Sequence, residues 1–292
     1  MLARVLTAID HVVLAVGDLQ AAGASYSRLF ARTPSWSGEH PGNGTANLLF
    51  RLENTYLELL APAGPGALAN GIKRRLDSAG EGIFALAFAT PDAAAFQAHA
   101  IEQGLAPGAL TKGLGRDVQS GAFREWLTVA LPVDRTRGVA LFAIEHRSPA
   151  DLLPEVPPLG KPGAAPHALD HVVLRTPAPE ACRRLYGDAL GIRLALDRSF
   201  EAYGFRGLFF RLGGATLEVS GPLAEGPDSG EDTLWGLAWQ VGDVARAAVR
   251  LAEVGFDVSA ARPGRKPGTA VCTVRSGTCG VPTLLVGPAA DA

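Results

Sequence analysis

The chain has 292 residues, 47% of them hydrophobic and 19% charged, with a formal net charge of −2. That length suits about two domains with full cores, and the composition excludes a disordered chain. The near-neutral charge argues against nucleic acid as a partner, because phosphate contacts need clustered Lys and Arg.

Only Lys73, Lys112, Lys161 and Lys266 are lysines. With abundant Ala, Gly and Pro, this reads as the mark of a GC-rich genome and says nothing about function. Cys182, Cys272 and Cys279 are too few and too scattered for a disulfide framework, and fit a reducing, cytoplasmic compartment. Met1 to Asp10 does not read as a secretory signal. No apolar run reaches the roughly 20 residues that a membrane span needs; the run from Ile83 to Ala100 is broken by Pro91 and Asp92.

In chain order, the first predicted strand is Ile9 to Val16. A helix follows with Asp18 as its N-cap, and Leu19, Ala22, Tyr26, Leu29 and Phe30 recur at helical spacing. Three strand-like stretches come next, separated by Gly- and Asn-rich turns. A second unit starts near residue 80, with Asp92 as N-cap and Gly104 where the helix should end. Arg147 to Ala168 carries Pro149, Pro154, Pro157, Pro158, Pro162 and Pro166, and reads as a semi-stiff linker.

The first unit then returns. Ile9-Asp10-His11-Val12-Val13-Leu14 recurs as Leu169-Asp170-His171-Val172-Val173-Leu174, shifted by 160. The same shift carries Tyr26 onto Tyr186, Phe50-Arg51-Leu52 onto Phe210-Arg211-Leu212, Leu57-Glu58 onto Leu217-Glu218, and Pro62 onto Pro222. A fourth unit opens its helix at Asp243 and ends it at Gly255. The expected architecture is α+β: four βαβββ units, at about 5–64, 80–148, 166–223 and 232–288. They divide into an N-terminal domain (1–148), a Pro-rich linker (149–166) and a C-terminal domain (167–292).

A strand with Asp-His-Val-Val, a helix, and a strand ending Tyr56-Leu57-Glu58-Leu59-Leu60-Ala61-Pro62 resembles the vicinal oxygen chelate superfamily. The run His40 to Asn47 resembles its glyoxalase-like branch. The resemblance covers nearly the whole chain as two tandem domains. It implies two half-open mixed β-barrels with flanking helices, of the glyoxalase/bleomycin resistance/dihydroxybiphenyl dioxygenase kind. It also implies a divalent metal (Zn, Ni, Mn, Co or Fe) held by ligands from the first and last strands of a unit. The superfamily hosts many reactions, so the fold alone leaves the reaction open.

His11 and Glu58 stand 47 residues apart, as do His171 and Glu218. Alternation places His11 on one strand face with Ile9, Val13 and Ala15. A neutral imidazole and a carboxylate are apt metal ligands; a structural His–Glu pair is the plainer alternative. In the superfamily the even-numbered unit usually supplies two more ligands, but the corresponding positions are Ala85, Phe142, Gly236 and Leu284, and none can ligate. His40 or His146 would complete the first site. Alternatively, units one and three pair, so that His11, Glu58, His171 and Glu218 share one metal.

Arg51 and Arg211 are repeat-equivalent and suit an anionic substrate group, as does the basic loop Arg262, Arg265, Lys266. Trp36, Trp235 and Trp239 line a pocket or fill core. No phosphate loop, nucleophile elbow or Cys–His pair is present. The expected function is a metal-dependent isomerase or lyase acting on a small carbonyl or vicinal-oxygen substrate, with Glu58 or Glu218 as general base. The alternatives are a metal-free small-molecule binding protein, a relative of ring-cleaving dioxygenases, or an enzyme in which only the first half works. A monomer or a homodimer is expected.

Overall fold

The computed structural model describes residues 5–224 and 230–289. The first unit runs β1 (Ala8–Ala15), α1 (Leu19–Phe30), β2 (Trp36–His40), β3 (Thr45–Arg51) and β4 (Tyr56–Pro62). A helix that the repeat does not foretell, α2 (Ala67–Ala79), leads to β5 (Gly82–Ala89), α3 (Ala93–Glu102), β6 (Thr111–Asp117), β7 (Phe123–Leu131) and β8 (Ala140–His146). The third unit is β9 (Ala168–Arg175), α4 (Pro179–Cys182) running into a wider turn at Arg183–Ala189, β10 (Arg193–Phe200), β11 (Phe205–Leu212) and β12 (Ala215–Pro222). The fourth is β13 (Thr233–Gln240), α5 (Val244–Glu253), β14 (Arg262–Pro263), β15 (Thr269–Val274) and β16 (Thr283–Pro288). The βαβββ order therefore occurs four times.

The capping chemistry read from the sequence is in place. The carboxylates of Asp18 and Asp92 each accept two backbone N–H bonds at the start of α1 and α3, and Asp243 accepts one from Arg246. Gly104 and Gly255 follow α3 and α5 with φ of +71° and +90°, the left-handed backbone that ends a helix.

Strands of the first two units close a barrel in the order β1-β4-β3-β2-β6-β7-β8-β5. Units one and two join through an antiparallel β1–β5 pair, and closure comes from Gly38↔Asp117 and Glu39↔Arg116. Units three and four repeat the antiparallel join at β9–β13, but their sheet stays open, with β10 at one edge and the two-residue β14 at the other. The alternative in which units one and three share a barrel is thus overturned: adjacent units pair, and His11 and Glu58 lie on a different sheet from His171 and Glu218.

One core runs between the two sheets. Val12, Leu14, Leu57 and Leu59 join Tyr26, Leu29 and Phe30 of α1, and continue into Val172, Leu217, Ala247 and Leu251 of the second half. Trp239 is part of this core, edge-on to Phe30 at 5.0 Å. The Arg250 guanidinium donates to the Arg28 and Leu29 carbonyls, so the second half satisfies the open end of α1. The Pro-rich segment is strapped down by buried Arg32, which donates to the Pro166 carbonyl at 2.8 Å and pairs with Glu155. Inside the barrel, α2 packs Ile72 against Val13, Ala15, Leu60 and Ala85.

Candidate functional site

The site begins with an irregularity in β1. Ile9 pairs with Phe88 and His11 with Ala87, so Asp10 is an extra, bulged residue. Bulges re-aim side chains, and this one breaks simple alternation. Ile9 turns into the main core, while His11 and Val13 face the barrel cavity. The expectation that Ile9 shares His11's face is corrected accordingly. The bulge also lets Asp10 reach the imidazole next to it: Asp10 Oδ1 lies 2.7 Å from His11 Nδ1.

Burial alone would raise the Asp10 pKa, but hydrogen bonds from His11 and His146 outweigh it and hold the carboxyl well below its ordinary range. An ionised Asp10 only accepts, so His11 Nδ1 is the donor. In the neutral imidazole, Nε2 is then left as a lone pair facing Glu58 Oε2 at 3.5 Å. Tyr56, directly beside His11 in the parallel β1–β4 pair, stacks on the imidazole with centroids 4.4 Å apart. Burial keeps the Tyr56 phenol well above its usual range, and so protonated.

Glu58 is buried and is held from the neighbouring strand, where Asn47 Nδ2 donates to Oε1 at 2.7 Å. His40 closes the group from β2. Its Nδ1 bonds the Thr45 hydroxyl at 2.8 Å, and its Nε2 lies 3.3 Å from Asn47 Nδ2 and 3.9 Å from Glu58 Oε1. Burial lowers the His40 pKa, so this imidazole is neutral at neutral pH. Asn47 Oδ1 is buried without a partner among the described residues. These groups open into a cavity of about 270 Å³ inside the barrel. Phe84, Leu60, Phe142 and Ile144 give it apolar walls; Arg124 and Trp126 enter from β7.

The residues here suit a divalent metal in part. Two ligand atoms on one tetrahedral Zn, at about 2.0–2.2 Å each, lie roughly 3.3 Å apart, close to the 3.5 Å between His11 Nε2 and Glu58 Oε2. A carboxylate behind the ligating histidine is the usual means of fixing its tautomer, and the orphaned Asn47 oxygen leaves a polar group without a protein partner. Among the described residues, however, no three His, Cys, Asp or Glu side chains are gathered as a finished metal site. At the positions where the second unit would donate ligands stand Ala85 and Phe142, and the Phe142 ring packs edge-on to His11 at 5.5 Å.

The second half repeats the array without the enclosure. Asp170 is again bulged, Asp170 Oδ1 lies 2.7 Å from His171 Nδ1, and His171 Nε2 lies 3.6 Å from Glu218 Oε2. The positions 160 residues beyond His40 and Asn47 are Phe200 and Gly207. Phe200 instead stacks on Phe205 at 4.7 Å, and the sheet is open above it.

The other predicted residues fall outside the cavity. His146 Nε2 bonds Asp10 Oδ2 at 3.0 Å, behind His11. The Arg51 carbonyl accepts from Arg32, and Arg211 donates to the Thr216 hydroxyl on the open sheet. Trp36 packs with Leu49, Tyr56 and Leu153, and Trp235 lies under Arg175. Arg265 of the basic loop rests on Tyr203. Burial raises the Cys272 and Cys279 thiols to about 11 and about 12, and Cys182 further, so none is a ready nucleophile.

Asp10, Asn47, Arg124 and Trp126 were not singled out by the sequence reading. Asp10 carried a signal, because the Asp-His pair recurs in both copies. So did β7, where Arg124, Trp126 and Thr128 alternate on what becomes the inner face.

The fold and this array define a glyoxalase-like protein. A glyoxalase-like domain profile matches residues 9–165, and one for the glyoxalase/bleomycin resistance protein/dioxygenase superfamily matches 170–273. The chain therefore belongs to the glyoxalase-like family, with both halves built on its unit. Over 72 residues, 25% of the chain, it is 32% identical to an ethylmalonyl-CoA/methylmalonyl-CoA epimerase of Cereibacter sphaeroides. The chain spans 54% of that relative's length. A mutant 4-hydroxymandelate synthase from Streptomyces coelicolor superposes with a TM-score of 0.68 at 16% identity, over 97% of this chain and 93% of that one. A Mn(II)-bound glyoxalase from Novosphingobium aromaticivorans gives 0.62 at 16% identity, over 97% and 82%. No helix among the described residues is long and apolar enough to cross a membrane.

Proposed function

We propose that this protein is a metal-dependent lyase or isomerase that acts on a small vicinal-oxygen substrate inside the N-terminal barrel. The observation that carries the reading is the Asp10–His11···Glu58 array. It sets His11 Nε2 opposite the Glu58 carboxylate in the barrel cavity, with His40 and Asn47 completing a polar cluster. His11 and Glu58 would hold the metal, and His40, 3.9 Å from Glu58 Oε1, would have to shift to join them as a third ligand. When bound, a divalent ion of the Zn, Ni, Mn, Co or Fe kind supplies Lewis-acid stabilisation of negative charge on the substrate oxygens.

The chain's own residues do the rest. Asp10 fixes the His11 tautomer, and His146 fixes Asp10. Glu58 removes the proton from the carbon beside the substrate carbonyl and returns it, while Asn47 keeps the carboxylate in place. The apolar walls of Leu60, Phe84, Phe142 and Ile144 limit the water around the charge that develops. On this reading His171 and Glu218 are a retained but idle copy, and Arg51 and Arg211 do not touch substrate. Three free cysteines fit a cytoplasmic enzyme.

A second reading is a metal-free binding protein. It is favoured by Ala85 and Phe142, whose apolar side chains stand where further ligands would be needed.

The test is α-proton exchange of hydroxyacetone and lactaldehyde in D2O, followed by NMR with Mn- or Zn-loaded protein. Glu58→Gln is expected to slow exchange about 10²–10⁴-fold, the usual share of a general base, and Glu218→Gln to leave it unchanged. Equal exchange in wild type and Glu58→Gln would contradict the assignment.

A further inference from the structure

Arg124 is a charged group without a hydrogen-bond or ion-pair partner among the described residues. It lies on β7 facing the cavity and is 7% exposed. Its guanidinium carbon sits 5.4 Å from the Trp36 ring and 5.9 Å from the Tyr56 ring. It makes no hydrogen bond or ion pair with any described residue. Arg32, more deeply buried, shows what a satisfied guanidinium looks like here: it donates to the Pro166 and Arg51 carbonyls and pairs with Glu155. The Arg124 nitrogens are not among the buried side-chain atoms left without a partner, so its N–H groups open onto the cavity, where an anion can reach them.

Its surroundings say which use. The two aromatic rings hold the guanidinium by cation–π contact and leave its N–H groups unspent. A planar fork of N–H donors matches a carboxylate in a two-point contact. Tyr56, one of the two rings, also stacks on His11, and Arg124, His11 and Glu58 line the same cavity. Lys112, exposed on β6, adds a second cation at the same cavity. The remaining walls are largely apolar, and the volume of about 270 Å³ suits a small molecule.

We infer that Arg124 is the anchor for a substrate carboxylate, and that the substrate class is small hydroxy or oxo acids. The carboxylate is held at Arg124 while the oxygen-bearing carbon faces His11 and Glu58. This rests on the site reading above for where the reaction occurs, but the anchor itself does not require the metal.

Calorimetric titration with matched pairs tests it: 3-phenyllactate against 3-phenyllactamide, and 3-hydroxybutyrate against 3-hydroxybutyramide. Wild-type protein is expected to bind each acid at least tenfold more tightly than its amide. Arg124→Gln should abolish that difference while changing amide affinity less than twofold. If Arg124→Gln fails to fold, Arg124→Lys carries the test: it keeps the charge but loses the fork, and the acid preference should fall at least threefold. The inference is overturned if wild type binds acid and amide equally, or binds neither. It is also overturned if Arg124→Gln weakens both members alike, or if phenyl phosphate binds more tightly than either acid. Repeating the titration on chelator-treated His11→Ala protein separates the two readings. An acid preference that persists there supports the Arg124 anchor even if no metal is found, and its loss there overturns the anchor as an independent site.

Discussion

Asp10 is the residue on which the local chemistry turns. Without it, His11 would present either nitrogen to the cavity; with it, Nε2 alone faces Glu58. Asp10→Asn keeps the shape but removes the ionised acceptor. It is expected to weaken metal binding about 10–100-fold, the usual effect of losing the carboxylate behind a ligating histidine. Competition with a chromophoric chelator measures this, and unchanged affinity would contradict the role. The Asp-His pair and the two distant glutamates were legible in the sequence because the 160-residue repeat displays them twice. Arg124 and Asn47 were not, because neither has meaning until barrel closure brings β3 and β7 around the same cavity.

At the level of elements, the inner wall depends on small residues facing large ones. Trp126 on β7 lies across Gly113 and Gly115 of β6, and a Cβ at Gly113 would meet the Trp126 indole nitrogen at 2.0 Å. The ring is rigid and cannot yield locally. Gly113→Ala should therefore displace Trp126 and destabilise the protein by about 1–3 kcal/mol, as overpacking does. Urea unfolding measures the cost, and a change below about 0.5 kcal/mol, the range of an ordinary surface substitution, would contradict the packing argument. The helices and their Asp caps were readable from local spacing. The β1 bulge was not: strict alternation put Ile9 beside His11, and only the β1–β5 register shows that Asp10 interrupts it. Helix α2 also escaped the repeat, since it sits between units and has no counterpart among the described residues of the second half.

Across the whole molecule, two copies of one architecture have reached different ends. The first closes into a barrel and lines it with His40, Asn47 and Arg124; the second stays open and places Phe200 and Gly207 at the matching points. A core shared through α1, Trp239 and Arg250 binds them into one body, which gives the second copy a structural reason to persist. The sequence displayed the duplication but not this asymmetry, because closure depends on the short β2–β6 contact and the length of β14, which no local pattern announces. The most direct measurement is metal stoichiometry by mass spectrometry after loading with Zn, Mn, Fe, Co or Ni, on three proteins: wild type, the His11→Ala with Glu58→Ala double variant, and the His171→Ala with Glu218→Ala double variant. The account predicts about one metal per chain in wild type, loss of it in the first variant and full retention in the second. Metal lost only from the second variant, or none bound by wild type, would contradict it.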